Sequence, residues 1–271
     1  MNNCAYDFSR CKLCGENGAE PRYRLKKTTI RECSNCGFHF IEHLDEMPDP
    51  DGGGSVPLDD RAWNFIESRL AANGVQHRKN MRLVTEHCPV AGEACLDIGA
   101  GAGLFASMMA EAGASVSGIE PQAVFRAFAE KKFGLTLRGE TLENPYWQND
   151  MRGRFSVVTL WDVLEHVNFP AEILAQAFPV TKPGGWLFLD TPCRDSVFYA
   201  LSTWGYRLSG GTNTMLLESL YSPQPFRHKQ IFTRNQLVTL VERIGWKVVR
   251  IKASPLTVQN KIIMVCRKPV P

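Results

Sequence analysis

The sequence has no long apolar run and no large excess of charge of one sign. No apolar stretch among its 271 residues approaches the roughly 20 residues that a membrane-spanning helix needs. Residues 1–7 lack the basic and apolar regions of a signal peptide. The formal net charge of +3 is too small to indicate a nucleic acid or a membrane as partner by itself. These absences favour a cytoplasmic globular protein, and 44% hydrophobic residues can fill one substantial core beside a small appendage.

Four of the nine cysteines form two C-x-x-C-G motifs near the start of the chain. Cys11 and Cys14 make up the first motif, Cys33 and Cys36 make up the second, and eighteen residues separate the two. This spacing is typical of zinc sites, and four thiolates form a closed tetrahedral site that favours a structural ion. We therefore predict a zinc ribbon over residues 1–45 with a structural Zn²⁺. A pair of redox dithiols is the alternative, and it would need an exposed cysteine of low pKa.

A segment rich in proline, glycine and aspartate follows the cysteine motifs. Its composition predicts a flexible linker over residues 46–60. Beyond it, apolar residues indicate one or two helices, and then strand-like and helix-like segments alternate. This alternation predicts an α/β domain with a parallel sheet over residues 61–271.

A glycine-rich turn follows the first predicted strand of this domain. Residues 96–105 (LDIGAGAGLF) read as a buried strand with Asp97 near its end, then glycines at positions 99, 101 and 103, then the start of a helix. Glycine lets a backbone approach a ligand closely and permits positive φ angles. The spacing does not match the dinucleotide motif G-x-G-x-x-G. The turn therefore predicts a ligand site without identifying the ligand.

Three further motifs follow in order. Residues 116–121 (VSGIEP) form a short strand that ends at Glu120, where an acid can accept hydrogen bonds from ribose hydroxyls. Residues 155–167 (FSVVTLWDVLEHV) and 182–192 (KPGGWLFLDTP) contain two more strands. Together the four motifs resemble the class I S-adenosylmethionine (SAM)-dependent methyltransferases that carry DVLEH and PGG, over roughly residues 80–268. The resemblance implies a Rossmann-like sheet with helices on both faces, and SAM as cofactor.

The resemblance also implies a set of residues around the cofactor. Asp97 would meet the methionine ammonium directly or through water, and Glu120 would accept both ribose hydroxyls. Glu140 would bind the adenine amine, while Trp161 and Asp162 would line the methionine end. The full implied set is Asp97, Gly99, Gly101, Gly103, Glu120, Glu140, Thr141, Leu142, Trp161 and Asp162.

An aromatic segment near residues 195–230 interrupts the alternation of strands and helices. It contains Tyr199, Trp204 and Tyr221, and it predicts either a lid over an acceptor pocket or a dimer contact. Methylation of a hydroxyl requires removal of a proton. His228 and His166 are the candidate catalytic bases, since an unperturbed histidine pKa near 6.5 suits this task. Glu165 and Asp190, or no base at all, are the alternatives.

We expect a SAM-dependent methyltransferase that acts on a small-molecule acceptor, by O- or C-methylation of a sugar, glycan or natural-product intermediate. A zinc-ribbon RNA methyltransferase is the first alternative, but acidic residues largely cancel the basic ones within residues 1–45. A SAM-binding scaffold without catalysis is the second alternative, although the glycine turn and both acids are intact. We expect neither a nucleic-acid nor a membrane partner, and either a monomer or a homodimer.

Overall fold

The fold is organised by two β-sheets, in a computed structural model that describes residues 6–47, 57–225, 227–253 and 261–271. Most of the linker predicted over residues 46–60 lies outside these described residues. The strands are β1 (Ala19–Arg24), β2 (Thr29–Cys33), β3 (His39–Ile41), β4 (Ala94–Ile98), β5 (Ser115–Ile119), β6 (Phe155–Trp161), β7 (Thr181–Pro192), β8 (Gln230–Ile231), β9 (Lys247–Ala253) and β10 (Lys261–Arg267).

Seven α-helices accompany the strands in the described part of the chain. They are α1 (Asp60–His87), α2 (Leu104–Glu111), α3 (Ala123–Phe133), α4 (Pro170–Val180), α5 (Val197–Leu208), α6 (Met215–Leu220) and α7 (Arg234–Ile244). A short π-helix covers Tyr146–Asp150. None of the described helices combines the length and the apolar character that crossing a membrane requires.

The larger sheet has six strands in the order β5-β4-β6-β7-β10-β9. The pairs among β5, β4, β6 and β7 are parallel, whereas β10 is antiparallel to both β7 and β9. All seven residues of β6 are buried, as expected for a central strand covered on both faces. The predicted Rossmann-like α/β fold is confirmed. The chain order reverses between β4 and β6, which is where ligands bind in sheets of this kind.

The smaller sheet contains a strand from a distant part of the sequence. Its order is β1-β2-β3-β8, with His39 opposite Ile231 and Phe40 opposite Gln230. We call residues 6–45 the cysteine module. Side chains of this module, including Cys33 and Phe38, belong to the same hydrophobic cluster as buried residues of the larger sheet. The module therefore packs directly on the α/β part of the chain.

Candidate functional site

A cavity of about 1520 Å³ opens at the carboxyl ends of the parallel strands. Ligand pockets for single small molecules commonly measure about 300–1000 Å³, so this volume can hold two ligands side by side. At one end the wall comes from the glycine turn, from Glu120 and Gln122, and from Trp161 and Asp162. At the other end it includes His166, Tyr199 and His228.

The glycines of the turn serve different purposes. A Cβ on Gly101 would meet no atom within 4 Å, and Gly101 lines the cavity with a φ of +54°. A Cβ on Gly99 would lie 2.6 Å from Cγ2 of Val163, so this glycine makes room for the DVLEH segment. A Cβ on Gly103 would lie 2.9 Å from the Cβ of Ala129 in α3. Of the three, Gly101 presents its backbone to open space where a ligand can bind.

The carboxylate of Glu120 ties the glycine turn to the end of β5. Its Oε2 accepts a hydrogen bond from the Gly101 N–H and its Oε1 accepts one from the Gln122 N–H, each at 2.9 Å. Burial raises the pKa of Glu120 to about 7, although these two bonds act in the opposite direction. Each carboxylate oxygen has a second lone pair. Glu120 can therefore accept two further hydrogen bonds from a ligand in the cavity.

Asp97 lies in β4, behind the cavity wall. It is buried, and its Oδ1 accepts a hydrogen bond from the Thr159 hydroxyl at 2.6 Å. Burial raises the pKa of Asp97 to about 7. Because Asp97 is not one of the described residues that line the cavity, its contact with the methionine ammonium stays a prediction.

The residues implied for adenine also lie away from the described cavity wall. The Glu140 carboxylate accepts a hydrogen bond from Nη2 of Arg138 at 2.7 Å. The Thr141 hydroxyl donates to Glu143, and Leu142 is buried in the core. None of Glu140, Thr141 and Leu142 is among the described residues that line the cavity. Their role in adenine binding stays a prediction.

Trp161 and Asp162 border the cavity at the end of β6. Asp162 has a φ of 55°, and among the described residues it is the single non-glycine residue with positive φ. A backbone of this kind costs about 1–3 kcal/mol and is typical of functional sites. The N–H of Asp162 donates to Asp190 at 2.7 Å, and its carboxylate pairs with Lys261. Burial opposes ionisation of Asp162, but the Lys261 ammonium lowers its pKa below the usual value.

The side chain of Trp161 has an unused donor. Trp161 is 7% exposed, and its Nε1 is buried without a hydrogen-bond partner among the described residues. Buried polar atoms in proteins are nearly always satisfied. Trp161 thus lines the cavity with a donor that the described residues leave unused.

Three titratable side chains lie close together: Glu165, His166 and His228. The two histidines line the cavity, whereas Glu165 is fully buried. One ligand atom from each lies within 4.8 Å of the others, and the two imidazole ring centroids are 5.0 Å apart. Oε2 of Glu165 accepts from the Thr191 hydroxyl at 3.0 Å, whereas Oε1 is buried without a hydrogen-bond partner in the described chain. We call this group the Glu-His-His cluster.

Burial controls the charge of this cluster. It lowers the pKa of His166 to about 4 and also lowers that of His228, so both imidazoles are neutral at pH 7. Burial, with Asp162 and Asp190 nearby, raises the pKa of Glu165. The two neutral imidazoles can each accept a proton from a substrate. They are also ligands that a divalent cation accepts.

The four predicted zinc ligands converge in the cysteine module. The Sγ atoms of Cys11 and Cys36 are 3.6 Å apart and those of Cys14 and Cys33 are 3.7 Å apart, and all four lie within 4.8 Å of one another. A tetrahedral zinc ion with Zn–S bonds of about 2.3 Å would place its sulfurs roughly 3.8 Å apart. The contact with Cys36 lowers the pKa of the Cys11 thiol. The geometry is consistent with a small zinc site.

Comparison with known protein families agrees with the fold. Residues 68–251 match the family model described as a methyltransferase domain. The chain belongs to this methyltransferase family. The matched range contains the glycine turn, Glu120 and the Glu-His-His cluster.

Relatives of the methyltransferase domain include enzymes of quinone biosynthesis. The ubiquinone biosynthesis O-methyltransferase of Thiobacillus denitrificans is 35% identical over 128 residues, which are 46% of this chain and 55% of that protein. The enzyme of the same name from Burkholderia multivorans is 33% identical over 125 residues, which are 45% of this chain and 54% of that protein. The chain therefore spans about half the length of these curated relatives.

Solved structures show the same fold at lower sequence identity. The 1,6-didemethyltoxoflavin-N1-methyltransferase of Burkholderia thailandensis, solved with its substrate and S-adenosylhomocysteine (SAH), has a TM-score of 0.52 at 17% identity. That match covers 93% of this chain and all of the other. A Haloferax volcanii complex of the Trm112 methyltransferase activator and a putative methyltransferase gives a TM-score of 0.56 at 11% identity, over 78% of this chain and 97% of that chain.

Only some residues of the aromatic segment line the cavity. Tyr199 lines the cavity, whereas Tyr221 is buried with its hydroxyl 3.0 Å from that of Tyr199. Trp204 is 63% exposed and is not among the described residues of the cavity wall. Tyr206 packs against Tyr23 of the cysteine module, with ring centroids 5.2 Å apart. This segment therefore bridges the cavity and the cysteine module.

Two histidines contribute to the site without any motif that marks them. His77 in α1 lines the cavity, and its Nδ1 is buried without a hydrogen-bond partner in the described regions. His39 in β3 has its Nδ1 2.6 Å from the hydroxyl of Tyr199. Neither histidine lies in one of the sequence motifs described above. Only the packing of distant segments brings His77 to the cavity and His39 to Tyr199.

Proposed function

We propose that this chain is a SAM-dependent enzyme that transfers a methyl group to a small molecule. The main support is one continuous cavity, which joins the Gly101 and Glu120 end to the end that carries His166 and His228. Its volume of about 1520 Å³ suits a cofactor and a compact acceptor together. The relatives are O-methyltransferases by name, which favours transfer to oxygen. We propose a hydroxyl, or a carbon, of a sugar, glycan or natural-product intermediate as acceptor.

The chain's own residues suit the binding of SAM. Glu120 would accept the ribose hydroxyls through its free lone pairs, and the backbone of Gly101 would pass close to the cofactor. Trp161 and Asp162 would border its methionine end. When bound, SAM supplies a reactive methyl group on a sulfonium.

The Glu-His-His cluster would receive the acceptor's proton. His228 or His166 can do so as a neutral imidazole, since burial lowers the pKa of both. The same three side chains could hold a divalent cation, which would lower the pKa of a bound hydroxyl. Oε1 of Glu165 favours this second possibility, because it lies 3.9 Å from Nε2 of His166 and has no hydrogen-bond partner among the described residues.

We also propose that Cys11, Cys14, Cys33 and Cys36 hold a structural zinc ion. Their sulfur separations support four thiolate ligands around one ion, with no open position for a substrate. Elemental analysis of the purified protein tests this directly. One zinc per chain is expected, and protein that contains none would refute the ribbon.

Methyl transfer from radiolabelled SAM tests the proposed function. Calorimetry with SAH first measures cofactor binding, and transfer is then measured to a panel of catechols, nucleotide sugars and total RNA. Transfer to a small acceptor that is lost in His228→Gln and Glu165→Gln supports the proposal. Transfer to RNA alone would replace it with the RNA enzyme, whereas SAH binding without any transfer would favour a scaffold.

A further inference from the structure

A lysine with no exposed surface directly follows His228. Nζ of Lys229 donates to the carbonyl oxygens of Gln224 at 2.6 Å and Arg227 at 3.1 Å. Its ionic partner is Oδ1 of Asp45, at 3.1 Å. An ammonium is stable in a protein interior only when its donors are used. The backbone on either side of His228 is therefore folded around this one charged group.

The backbone of Lys229 is fixed as well. Its N–H donates to the carbonyl of Glu165 at 2.7 Å, and its carbonyl accepts from the N–H of Ile41 at 2.9 Å. The next two residues form β8, which pairs with β3 of the cysteine module. The carbonyl of His228 accepts from the Ser222 N–H at 3.1 Å. Ile41 is the last residue of β3, so the bond from Ile41 and the pairing of β8 both come from this one strand of the cysteine module.

Asp45 is held firmly enough to act as an anchor. Its N–H donates to Oδ1 of Asn168 and its carbonyl accepts from Nδ2 of Asn168, both at 2.8 Å. Its Oδ1 also lies 3.0 Å from Nε2 of His43. Asn168 closely follows the DVLEH segment, so Asp45 joins the cysteine module to the segment that carries Glu165 and His166.

We propose that Lys229 and Asp45 are positioning residues, through which the cysteine module fixes His228 at the acceptor end of the cavity. The proposal rests on the function proposed above, because it explains how one member of the Glu-His-His cluster is aimed. Catalytic groups must be held within about 0.5 Å of their productive position. The sequence neighbours of His228 are held both by residues 39–45, through Asp45 and β3, and by the carbonyl of Glu165.

Histidine ring resonances provide a test that needs no acceptor. In full-length protein labelled with ¹³C at histidine and saturated with SAH, His228→Gln assigns the His228 Cε1–Hε1 signal. Lys229→Met keeps the aliphatic stem and removes the ammonium, and Asp45→Asn keeps the shape and removes the charge. We expect the His228 signal to move or broaden in both variants, while the Kd for SAH changes less than about twofold.

A matched control separates positioning from general loosening. Lys26→Met breaks the exposed Lys26–Glu218 pair, which also joins the cysteine module to the aromatic segment. It should leave the His228 signal at its wild-type frequency. An unmoved His228 signal in folded Lys229→Met and Asp45→Asn would overturn the proposal. If Lys229→Met does not fold, the His228 signal of Asp45→Asn alone tests the proposal. Failure of the wild-type chain to bind SAH would instead refute the proposed function, and the comparison is then made in the free protein.

Discussion

Replacement of Glu120 by glutamine tests the proposed cofactor site at a buried acid of the cavity wall. The wild-type carboxylate is 5% exposed and accepts hydrogen bonds from the N–H groups of Gly101 and Gln122. A glutamine of the same shape has only one acceptor oxygen. Its amide nitrogen must therefore face one of the two backbone donors, and the negative charge opposite the ribose hydroxyls is lost.

The expected magnitudes follow from these contacts. Hydrogen bonds to a charged group contribute about 1.5–3 kcal/mol, so the Kd for SAH should rise by roughly tenfold to a hundredfold. Loss of one neutral backbone contact should cost about 1 kcal/mol of folding free energy. In a chain of this size that corresponds to a fall of roughly 2–4 °C in Tm. Glu120→Gln should therefore bind SAH poorly while it stays folded at 25 °C.

The pH dependence gives an independent check. Burial raises the pKa of Glu120 to about 7, so its carboxyl is protonated below this value and ionised above it. The affinity for SAH should thus fall as the pH drops through 7, and at pH 6 roughly a tenth of the sites are ionised. In Glu120→Gln the affinity for SAH should no longer change with pH through the ionisation of residue 120. Burial raises the pKa of Asp97 to about 7 as well. The variant Asp97→Asn therefore measures how much of the pH dependence of SAH binding comes from Asp97.

Calorimetric titration with SAH between pH 5.5 and 8.5 measures these effects. Glu111→Gln, at an exposed acid on α2, is the matched control and should bind like the wild type. If Glu120→Gln is folded and binds SAH with unchanged affinity, the ribose assignment is wrong. If its affinity keeps the full pH dependence of the wild type, another group is responsible for that dependence.

Three other results are expected. Cys14→Ser should release zinc and lower Tm, and the protein should still unfold in a single transition because the cysteine module shares a hydrophobic cluster with the larger sheet. Elemental analysis and calorimetry measure this, with Cys88→Ser as the control. Two separate unfolding transitions would contradict it. If the Glu-His-His cluster holds a divalent cation, a chelator should reduce the rate of methyl transfer at least about tenfold, and added Mn²⁺ should restore it. An unchanged rate would mean that an imidazole alone acts as the base. Lys261→Met should lower the free energy of unfolding, measured by chemical denaturation, by roughly 1–3 kcal/mol, because it leaves the buried Asp190 without its cation; the lysine itself is a quarter exposed. A loss no larger than that of Lys26→Met, which breaks an exposed pair, would contradict this.

Most of the α/β fold could be predicted because its signals are local. Apolar strands end at acids and glycines, and strand-like and helix-like segments alternate as a parallel sheet requires. A capping box of Thr233 and Gln236 begins α7. The sequence predicts one or two helices before the first strand of the larger sheet, and the structure has the single helix α1 there. No proline or glycine pair interrupts it to force a break.

The site was less predictable where partners are distant in sequence. Glu120 and Gly101 could be placed at the cavity because both follow strands whose ends meet at one sheet edge. The pairing of Asp45 with Lys229 had no local signal, because tertiary packing alone brings a buried lysine to an aspartate from the other end of the chain. The position of Glu140 depends likewise on Arg138, whose orientation no motif specifies.

The pairing of β3 with β8 has a consequence for synthesis on the ribosome. β1, β2 and β3 emerge early, but the strand that covers the free edge of β3 is Gln230–Ile231, close to the last strands made. Until then, β3 presents unpaired backbone groups that can pair with any other extended chain. Newly made protein therefore depends on late residues to protect its earliest sheet. Chains that terminate before residue 230 should be captured by chaperones or aggregate, even though their cysteine motifs are complete.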